Sequence, residues 1–207
     1  MTGPTSPQPA RVHRRLRRVD LRVPDDGQLA GVAHTGARIV GADLTEVELA
    51  SCLFQDCEFV DTRFNCAHLR SCAFLECRFA GCGFFDTTFT DCRLLGSSFD
   101  RCTFTNTEVT GGDWGDVDLS GADLTTVEVT GVRLHAAILT GARCQGGTFT
   151  DVDFTNAHLD GADFTHADLR RSVLTAFDPR TVELRAAIIT ADQAVDLAIC
   201  LDMTIRD

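Results

Sequence analysis

Residues 39–64 read IVGADLTEVELASCLFQDCEFVDTRF, and every fifth residue of this stretch, beginning with Ile39 and Leu44, is large and apolar. The pattern continues without a slip to Leu174, which gives 28 consecutive positions when Cys144 is counted as apolar. We call these the centre positions. A five-residue period is neither the 3.6 of an α-helix nor the 2 of a flat strand. The chain therefore cannot be an ordinary helical or flat-sheet domain.

A second series, two residues before each centre, contains small residues such as Ala42 and Cys52. Residues two apart point the same way only in an extended segment, so the small and the centre residue of each unit face the interior together. Identical residues recur at a spacing of twenty, as Cys52, Cys72 and Cys92 do. Four five-residue sides therefore close one coil, and successive coils stack into a solenoid.

The best matches to the unit are Ala42-Asp43-Leu44, Ala122-Asp123-Leu124 and Ala162-Asp163-Phe164. Over residues 29–189 this pattern resembles the pentapeptide-repeat family. The resemblance implies an all-β fold, a right-handed quadrilateral β-helix. Twenty-eight units would make seven coils, or a rod about 34 Å long before its caps.

The ends depart from the repeat and divide the chain into three parts. Residues 1–28 are expected to form a basic, flexible arm with a short capping strand over 19–23. Residues 29–189 form the β-helix, and 190–207 form a C-terminal helix and dimerisation cap. Thr190 followed by Gln193 fits a helix-start capping box, which predicts a short amphipathic helix over 191–201.

The charge distribution narrows the class of partner. Residues 1–28 carry six Arg against three Asp, a net charge of +3, whereas 29–207 carry 13 Arg against 27 acidic residues, a net charge of −14. An acidic body argues against direct nucleic-acid binding by the rod. The sequence contains no run of about 18 apolar residues, so it predicts no membrane-spanning helix. No apolar stretch follows the early arginines, so we expect no secretion signal and a cytoplasmic protein.

Ten cysteines raise the question of a metal site, a disulfide framework or a catalytic thiol. Most occupy the small inward position, where neighbours lie on different sides or point in parallel instead of converging on a metal. We interpret them as small apolar fillers, and we expect no catalytic residue, metal or cofactor. Cys66 lies at an outward position and is the candidate reactive thiol. Seven cysteines form the inward set: Cys52, Cys57, Cys72, Cys77, Cys82, Cys92 and Cys102.

The core must fill a fixed square section, so large and small inward residues should compensate one another. Trp114 is the largest centre residue, and its inward partner Gly112 is the smallest possible. We interpret the pair as volume compensation. On this basis a larger residue at 112 would overpack the coil beside Trp114.

The strongest candidate site is a stretch without any basic residue, between Arg101 and Arg133. Its acidic side chains point outward, cover all four sides and equal B-DNA in charge density. A solvated acidic surface that keeps the rod soluble is the alternative interpretation. We call this set the acidic belt, and it consists of Glu108, Asp113, Asp116, Asp118, Asp123 and Glu128.

The size, the Phe- and Cys-rich early coils, the acidity and the C-terminal helix also resemble the Qnr- and MfpA-type members of the family. That resemblance implies a non-catalytic, DNA-mimicking protein that binds DNA gyrase or topoisomerase IV and modulates it or protects it from fluoroquinolones or toxins. It further implies a homodimer formed through the C-terminal cap. The candidate interface residues are Val195, Leu197, Ile199, Leu201, Met203 and Ile205.

Two features depart from that group. The unbroken register leaves no room for the projecting loops of Qnr-type members, and the basic N-terminal arm is not a shared feature. A general interaction scaffold with a different partner is therefore the alternative function. An enzyme or metal protein that uses the cysteines is the third hypothesis.

Overall fold

The computed structural model describes residues 16–204 and 206, so Arg11, Arg14, Arg15 and Ile205 lie outside the described residues. Within that range the chain forms short strands and a single helix. The strands pair in parallel with strands twenty residues away in the sequence. In chain order these are β1 Arg17–Arg18, β2 Gln28–Ala30, β3 Ala33–Thr35, β4 Ala37–Val40, β5 Glu48–Ala50, β6 Leu53–Gln55, β7 Glu58–Val60, β8 His68–Arg70, β9 Ala73–Leu75, β10 Arg78–Ala80, β11 Thr88–Thr90, β12 Ser98–Asp100, β13 Glu108–Thr110, β14 Glu128–Thr130, β15 Thr148–Thr150 and α1 Ala191–Cys200.

The strands stack on the sides of a four-sided coil, as the period of five predicts. Face 1 carries β1, β4, β7, β10 and β12. Face 2 has isolated bridges such as Asp43 to Arg63, face 3 carries the seven strands β2, β5, β8, β11, β13, β14 and β15, and face 4 carries β3, β6 and β9. Pairing in twenty-residue steps continues to Ile188. The quadrilateral β-helix predicted from the sequence is confirmed.

All 28 centre residues from Ile39 to Leu174 are buried. In the first half most of them are phenylalanines that stack on their equivalents one coil away. The Phe59 and Phe79 rings lie 5.0 Å apart at 9°, and Phe79 and Phe99 lie 4.7 Å apart at 6°. Rings on adjacent faces meet edge to face, as Phe54 and Phe59 do at 5.2 Å. Both arrangements are favourable for aromatic pairs, so the core is an aromatic column.

The small inward residues satisfy their polar atoms along the same axis. The hydroxyl of Thr87 donates to the Phe64 carbonyl at 2.8 Å, and the Ser97 hydroxyl donates to the Phe74 carbonyl at 2.9 Å. The Cys52 thiol makes the equivalent, weaker contact to the Leu29 carbonyl at 3.2 Å. Cys, Ser and Thr can therefore replace Ala inside the coil without leaving an unsatisfied group.

The first coil begins earlier than the sequence indicates. β1 pairs with β4, and the Val19 amide donates to the Arg38 carbonyl at 2.9 Å. Leu21 is buried, and His34 takes a centre position by stacking on Phe54 at 5.9 Å. Residues 17–30 therefore belong to the β-helix in this structure, and its lower edge consists of β1, β2 and β3.

The C-terminal end is closed by a change in the core and by the helix. Pro179 cannot fill a centre position, and Phe177 takes its place inside, packed against Phe154 and Phe164. The capping box at Thr190 and the helix after it are confirmed. The Gln193 side-chain amide also donates to the carbonyls of Leu169 and Ser172 at 2.6 and 2.7 Å. This residue both starts the helix and caps the last coil.

The helix is short. Nowhere in the described ranges does a helix combine the length and hydropathy required to cross a bilayer.

Gly112 is required for a different reason from the one expected. Its φ is +92°, and a Cβ built there would overlap the carbonyl oxygen of Cys92, one coil below, and would lie 2.8 Å from the Cys92 amide nitrogen. The obstacle is therefore backbone, which cannot move aside, and Trp114 is not among the three nearest contacts. We expected glycine at 112 to compensate for the volume of Trp114. That explanation was wrong, because the Cys92 backbone is what leaves no room for a side chain.

We expect Gly112→Ala to lower the free energy of unfolding by about 2–4 kcal/mol, because it adds a backbone clash to a left-handed conformation. Gly131→Ala is the matched control: its φ is +66°, but nothing lies within 4 Å of the added Cβ. The control should cost only about 1 kcal/mol. Urea unfolding followed by circular dichroism measures both, and equal losses would contradict the explanation.

Candidate partner-binding surface

The structure places the acidic belt around one coil in the middle of the rod. All six side chains are exposed or half-buried. Glu108 and Glu128 lie on face 3, Asp113 on face 4, Asp118 on face 1, Asp123 on face 2, and Asp116 at the corner between faces 4 and 1. The positions named from the sequence therefore come together as a ring, one coil in height.

Two of the six carboxylates are neutralised by arginines of the next coil. The Arg133 guanidinium binds Asp113 at 2.8 Å, and that carboxylate is only 15% exposed. Arg143 binds Asp123 at 2.6 Å. In the linear sequence these arginines lie outside the belt, but twenty residues is one turn of the coil. The expectation of a ring of six uncompensated charges must be reduced to four.

The remaining four carboxylates lack a cationic partner in the part of the chain that the structure describes. Asp118 accepts hydrogen bonds from the Ser120 amide and hydroxyl at 3.0 and 2.6 Å, which orients it without changing its charge. Glu108 and Glu128 pair in register on face 3, one above the other. The electrostatic surface of the belt therefore consists of Glu108, Asp116, Asp118 and Glu128.

Ion pairs between residues twenty apart recur along the rod. Arg38 binds Glu58 at 3.1 Å on face 1, and Arg63 binds Asp43 at 2.6 Å on face 2. Arg171 binds Asp151 at 2.7 Å. Opposite charges at a spacing of twenty are readable in the sequence, and this signal would have identified Arg133 and Arg143 in advance.

A second acidic ring, which we missed in the sequence, lies between Arg38 and Arg63. This stretch also holds six acidic residues and no basic one. Asp43 and Glu58 are paired with these two arginines, so four carboxylates remain without an ion pair in the described ranges. We call these four the N-terminal band, and they are Glu46, Glu48, Asp56 and Asp61.

Hydrogen bonds and ion pairs hold several rod carboxylates in the ionised form. The Arg63 guanidinium, with Thr45, holds the pKa of Asp43 well below its usual range. Burial of Asp123 opposes its ionisation, but bonds from Thr125 and Arg143 outweigh burial and lower its pKa. The Arg170 guanidinium lowers the pKa of Asp168 in the same way.

The cysteines offer no converging set of ligands. Six of the seven inward cysteines are buried and Cys102 is half-buried. The neighbouring Cys72 thiol and burial together raise the pKa of Cys52, and burial raises that of Cys144. Cys66 is half-buried at a corner. Across residues 16–204 and 206, no group of three His, Cys, Asp or Glu side chains has the geometry to hold a metal ion.

The C-terminal cap presents a second surface, which is apolar. Val195 and Ile199 are 42% and 59% exposed on one side of α1, whereas Leu197 packs against the core. Leu201 and Met203 are also exposed. Five of the six expected interface residues can therefore be placed: four lie on the outside, and Leu197 faces inward. Ile205 lies outside the described residues.

Comparison with known proteins agrees with this architecture. A model for the family described as "Pentapeptide repeats (8 copies)" matches residues 137–175. Solved structures superpose over most of the chain. A trypsin-treated variant of QnrB1, described as a plasmid-mediated fluoroquinolone resistance protein, gives a TM-score of 0.77 at 24% identity, covering 87% of this chain and 100% of that one. The chain has the fold of a pentapeptide-repeat β-helix, and residues 137–175 match the repeat family itself.

Full-length QnrB1 superposes on this pentapeptide-repeat β-helix with a TM-score of 0.69 at 22% identity, covering 86% of this chain and 100% of QnrB1. A second trypsin-treated variant gives 0.74 at 21% identity, covering 93% and 100%. These likenesses establish the fold. No curated protein gives a significant match to the sequence.

We expect the pentapeptide-repeat β-helix to lose stability as the pH falls below about 4. The folded chain keeps Asp43, Asp123 and Asp168 ionised to a lower pH than the unfolded chain does. The unfolded chain therefore binds more protons on acidification, and the free energy of unfolding decreases.

Arg143→Gln should raise the pKa of Asp123 toward its ordinary value, with Thr125 still holding part of the shift. Arg93→Gln is the matched control, because Arg93 has no salt bridge within the described ranges. Carboxyl ¹³C NMR titration reports the Asp123 pKa directly. An unchanged value in Arg143→Gln would refute the assigned cause.

Proposed function

We propose that this protein is a non-catalytic ligand of a type II topoisomerase, DNA gyrase or topoisomerase IV, in the cytoplasm. The acidic belt would occupy the positively charged surface on which the enzyme binds DNA. The Qnr- and MfpA-type proteins that the sequence resembles bind these enzymes, and QnrB1, which shares the fold, is described as a fluoroquinolone resistance protein. The outcome for the cell would be protection from a fluoroquinolone or toxin, or modulation of the enzyme.

The charge of the belt is the observation that carries this proposal. Glu128 lies one coil above Glu108, so a single coil, with a rise of about 4.8 Å, holds three of the four unpaired carboxylates. B-DNA carries about three phosphates over that distance. The hydrogen bonds between coils fix the backbone positions of these residues without the partner, and this preorganisation favours binding. Complementary potential would also steer the encounter.

The direct test is a gyrase supercoiling and drug-stabilised cleavage assay with a quadruple variant, Glu108→Gln, Asp116→Asn, Asp118→Asn and Glu128→Gln. Amides keep the shape and, at Asp116, tolerate the positive φ of +55°. We expect the effect on the enzyme to weaken by about tenfold or more, because four steering charges are lost.

The N-terminal band supplies a control with the same change of charge: Glu46→Gln, Glu48→Gln, Asp56→Asn and Asp61→Asn. We expect the effect of this variant on gyrase to stay within about twofold of the wild type. Salt screens the interaction of charges that lie more than about 10 Å from the belt with a partner bound at the belt. Equal losses in both variants would show that net charge, and not the belt, is responsible. No effect of the wild-type protein on either topoisomerase would overturn the proposal and favour a scaffold with another partner.

We also propose that the protein is a homodimer through the exposed face of α1 and the residues after it. Ile188, just before the helix cap, is 50% exposed, and Val195, Ile199 and Met203 are also exposed at this end of the chain. Exposed apolar clusters of this kind at the end of a rod are typical of interfaces between protein chains.

Ile199→Asp should convert the dimer to a monomer of 22.5 kDa, because it places a charge in the apolar contact. Val40→Asp is the control at the opposite end of the rod, where Val40 is 39% exposed. Size-exclusion chromatography with light scattering distinguishes the two species. A monomeric wild type, or dissociation by both substitutions, would contradict the assigned interface.

A further inference from the structure

The aromatic column in the core is interrupted in the middle of the rod. Rings stack coil upon coil from Phe54 to Trp114, and ring contacts resume at Phe149, which packs against Phe154. Between Trp114 and Phe149 the sequence contains no Phe, Trp or Tyr, and the centre positions hold leucine, valine and Cys144. The coils of this stretch therefore lack the ring-on-ring contacts that stabilise the coils below.

The smaller side chains leave a cavity between two successive coils. We call residues 106–125 the belt coil and residues 126–145 the next coil. The cavity has a volume of about 20 Å³, and its lining includes Val109 and Trp114 of the belt coil and Val129 of the next coil. Atoms that line a void lose the dispersion contacts that a filled core provides. The junction between these two coils is therefore packed less well than the Phe-stacked coils.

The column of centre residues on face 3 explains where the space comes from. Phe89, Val109, Val129 and Phe149 stack in this order, each in register with the one below. The phenylalanines at both ends show how large a side chain the column accepts. The two valines between them are smaller, so they do not fill it.

Trp114 also brings an unsatisfied polar group to the cavity. The residue is only 4% exposed, and its Nε1–H has no hydrogen-bond partner in the part of the chain that the structure describes. A buried donor without an acceptor costs the free energy of its desolvation. Water reaches this group only when the coil opens, so the cost falls on the closed coil alone.

The backbone on face 4 is irregular at the same level of the rod. Gly111 and Gly112 have φ values of +64° and +92°. Between residues 31 and 174, Gly112 is the only residue with a positive φ that does not lie at a corner. The inward position before Trp114 therefore departs from the extended conformation that the five-residue unit requires.

The four sides of the junction are held unequally. On face 3, β13 and β14 pair over three residues. Each of the other faces has a single bridge, such as the one from Asp118 to Ile138 on face 1. Ion pairs cross the junction on faces 4 and 2, but Arg133 and Arg143 are exposed and contribute little. The continuous ladder on face 3 is therefore the most stable side.

In a solenoid each coil contacts only its neighbours, so the least well packed junction opens at the lowest cost. We propose that the rod has a hinge at the junction between the belt coil and the next coil. It opens on faces 4, 1 and 2, and face 3 stays paired. The closed form is the major state. Opening changes the distance between Asp118 on face 1 and Glu128 on face 3. The motion belongs to the free rod and is independent of the proposed binding to topoisomerase.

Amide hydrogen exchange of the full-length protein, followed residue by residue by NMR, tests the hinge. Across the junction, the Trp114 amide donates to the Arg133 carbonyl at 2.8 Å on face 4, and the Glu128 amide donates to the Thr107 carbonyl at 3.0 Å on face 3. After correction for intrinsic rates, we expect Trp114 to exchange about tenfold faster than Glu128, or more. The Phe74 amide, bonded in the same way at 2.7 Å two coils below Trp114, should exchange as slowly as Glu128.

The profile along the rod separates a hinge from fraying of the ends. A hinge makes exchange fastest among the inner coils at the junction. Equal protection of Trp114 and Phe74 would overturn the proposal. Exchange that slows steadily from both ends toward the middle would also overturn it, because fraying alone produces that profile.

Filling the cavity should hold the hinge closed. Val129→Ile adds one methylene and should slow exchange at Trp114 by about threefold or more, because it restores contacts in the closed coil. Val173→Ile is the matched control: Val173 is 40% exposed on face 4, so the added methylene lies outside the core and the rate should not change.

Circular dichroism checks that both variants fold. A rate at Trp114 that is no slower in Val129→Ile than in the wild type would overturn the proposal. If Val129→Ile does not fold, the exchange profile of the wild type decides alone.

Discussion

The stacking of each residue on its equivalent twenty positions away is the constraint on which the rest of this structure depends. The parallel bonds between coils fix the rise at about 4.8 Å and leave no freedom of register. Inside, this makes aromatic rings such as Phe59 and Phe79 stack nearly face to face. It also brings the hydroxyl of Thr87 within reach of the Phe64 carbonyl, so even polar residues are satisfied along the axis.

The same constraint decides which surface charges are available to a partner. Acidic residues that are close in the sequence lie on different faces of the rod. Asp113 and Arg133, in contrast, are twenty residues apart and in direct contact. Charge counted along the chain therefore overstates the field of the rod. After pairing between coils is included, four of six carboxylates remain unpaired in each of the two stretches that lack arginine, the belt and the N-terminal band. The belt surrounds the middle of the rod, and the N-terminal band lies in its early coils.

The fold and the inward residues could be predicted because the five-residue pattern has a single geometric solution. The position of the belt and the capping box at Thr190 followed from the same register. Three features could not be read from composition or from linear neighbourhood. The pairing of Arg143 with Asp123 requires counting by twenty, and the need for glycine at 112 arises from the Cys92 backbone. The second role of Gln193, as a cap for the last coil, depends on where the helix turns back over Leu169.

The equivalence of the four sides has a consequence for how such a chain can change in length. Inserting or deleting one five-residue unit preserves every inward position, so the core tolerates it. All outward residues beyond the change would then rotate by a quarter turn relative to those before it. Arg133 would no longer lie above Asp113. The outward residues would have different neighbours, although the fold would be unchanged. A change of twenty residues restores the alignment. The rod is therefore free to lengthen in steps of one whole coil, whereas steps of a single side alter what it can recognise.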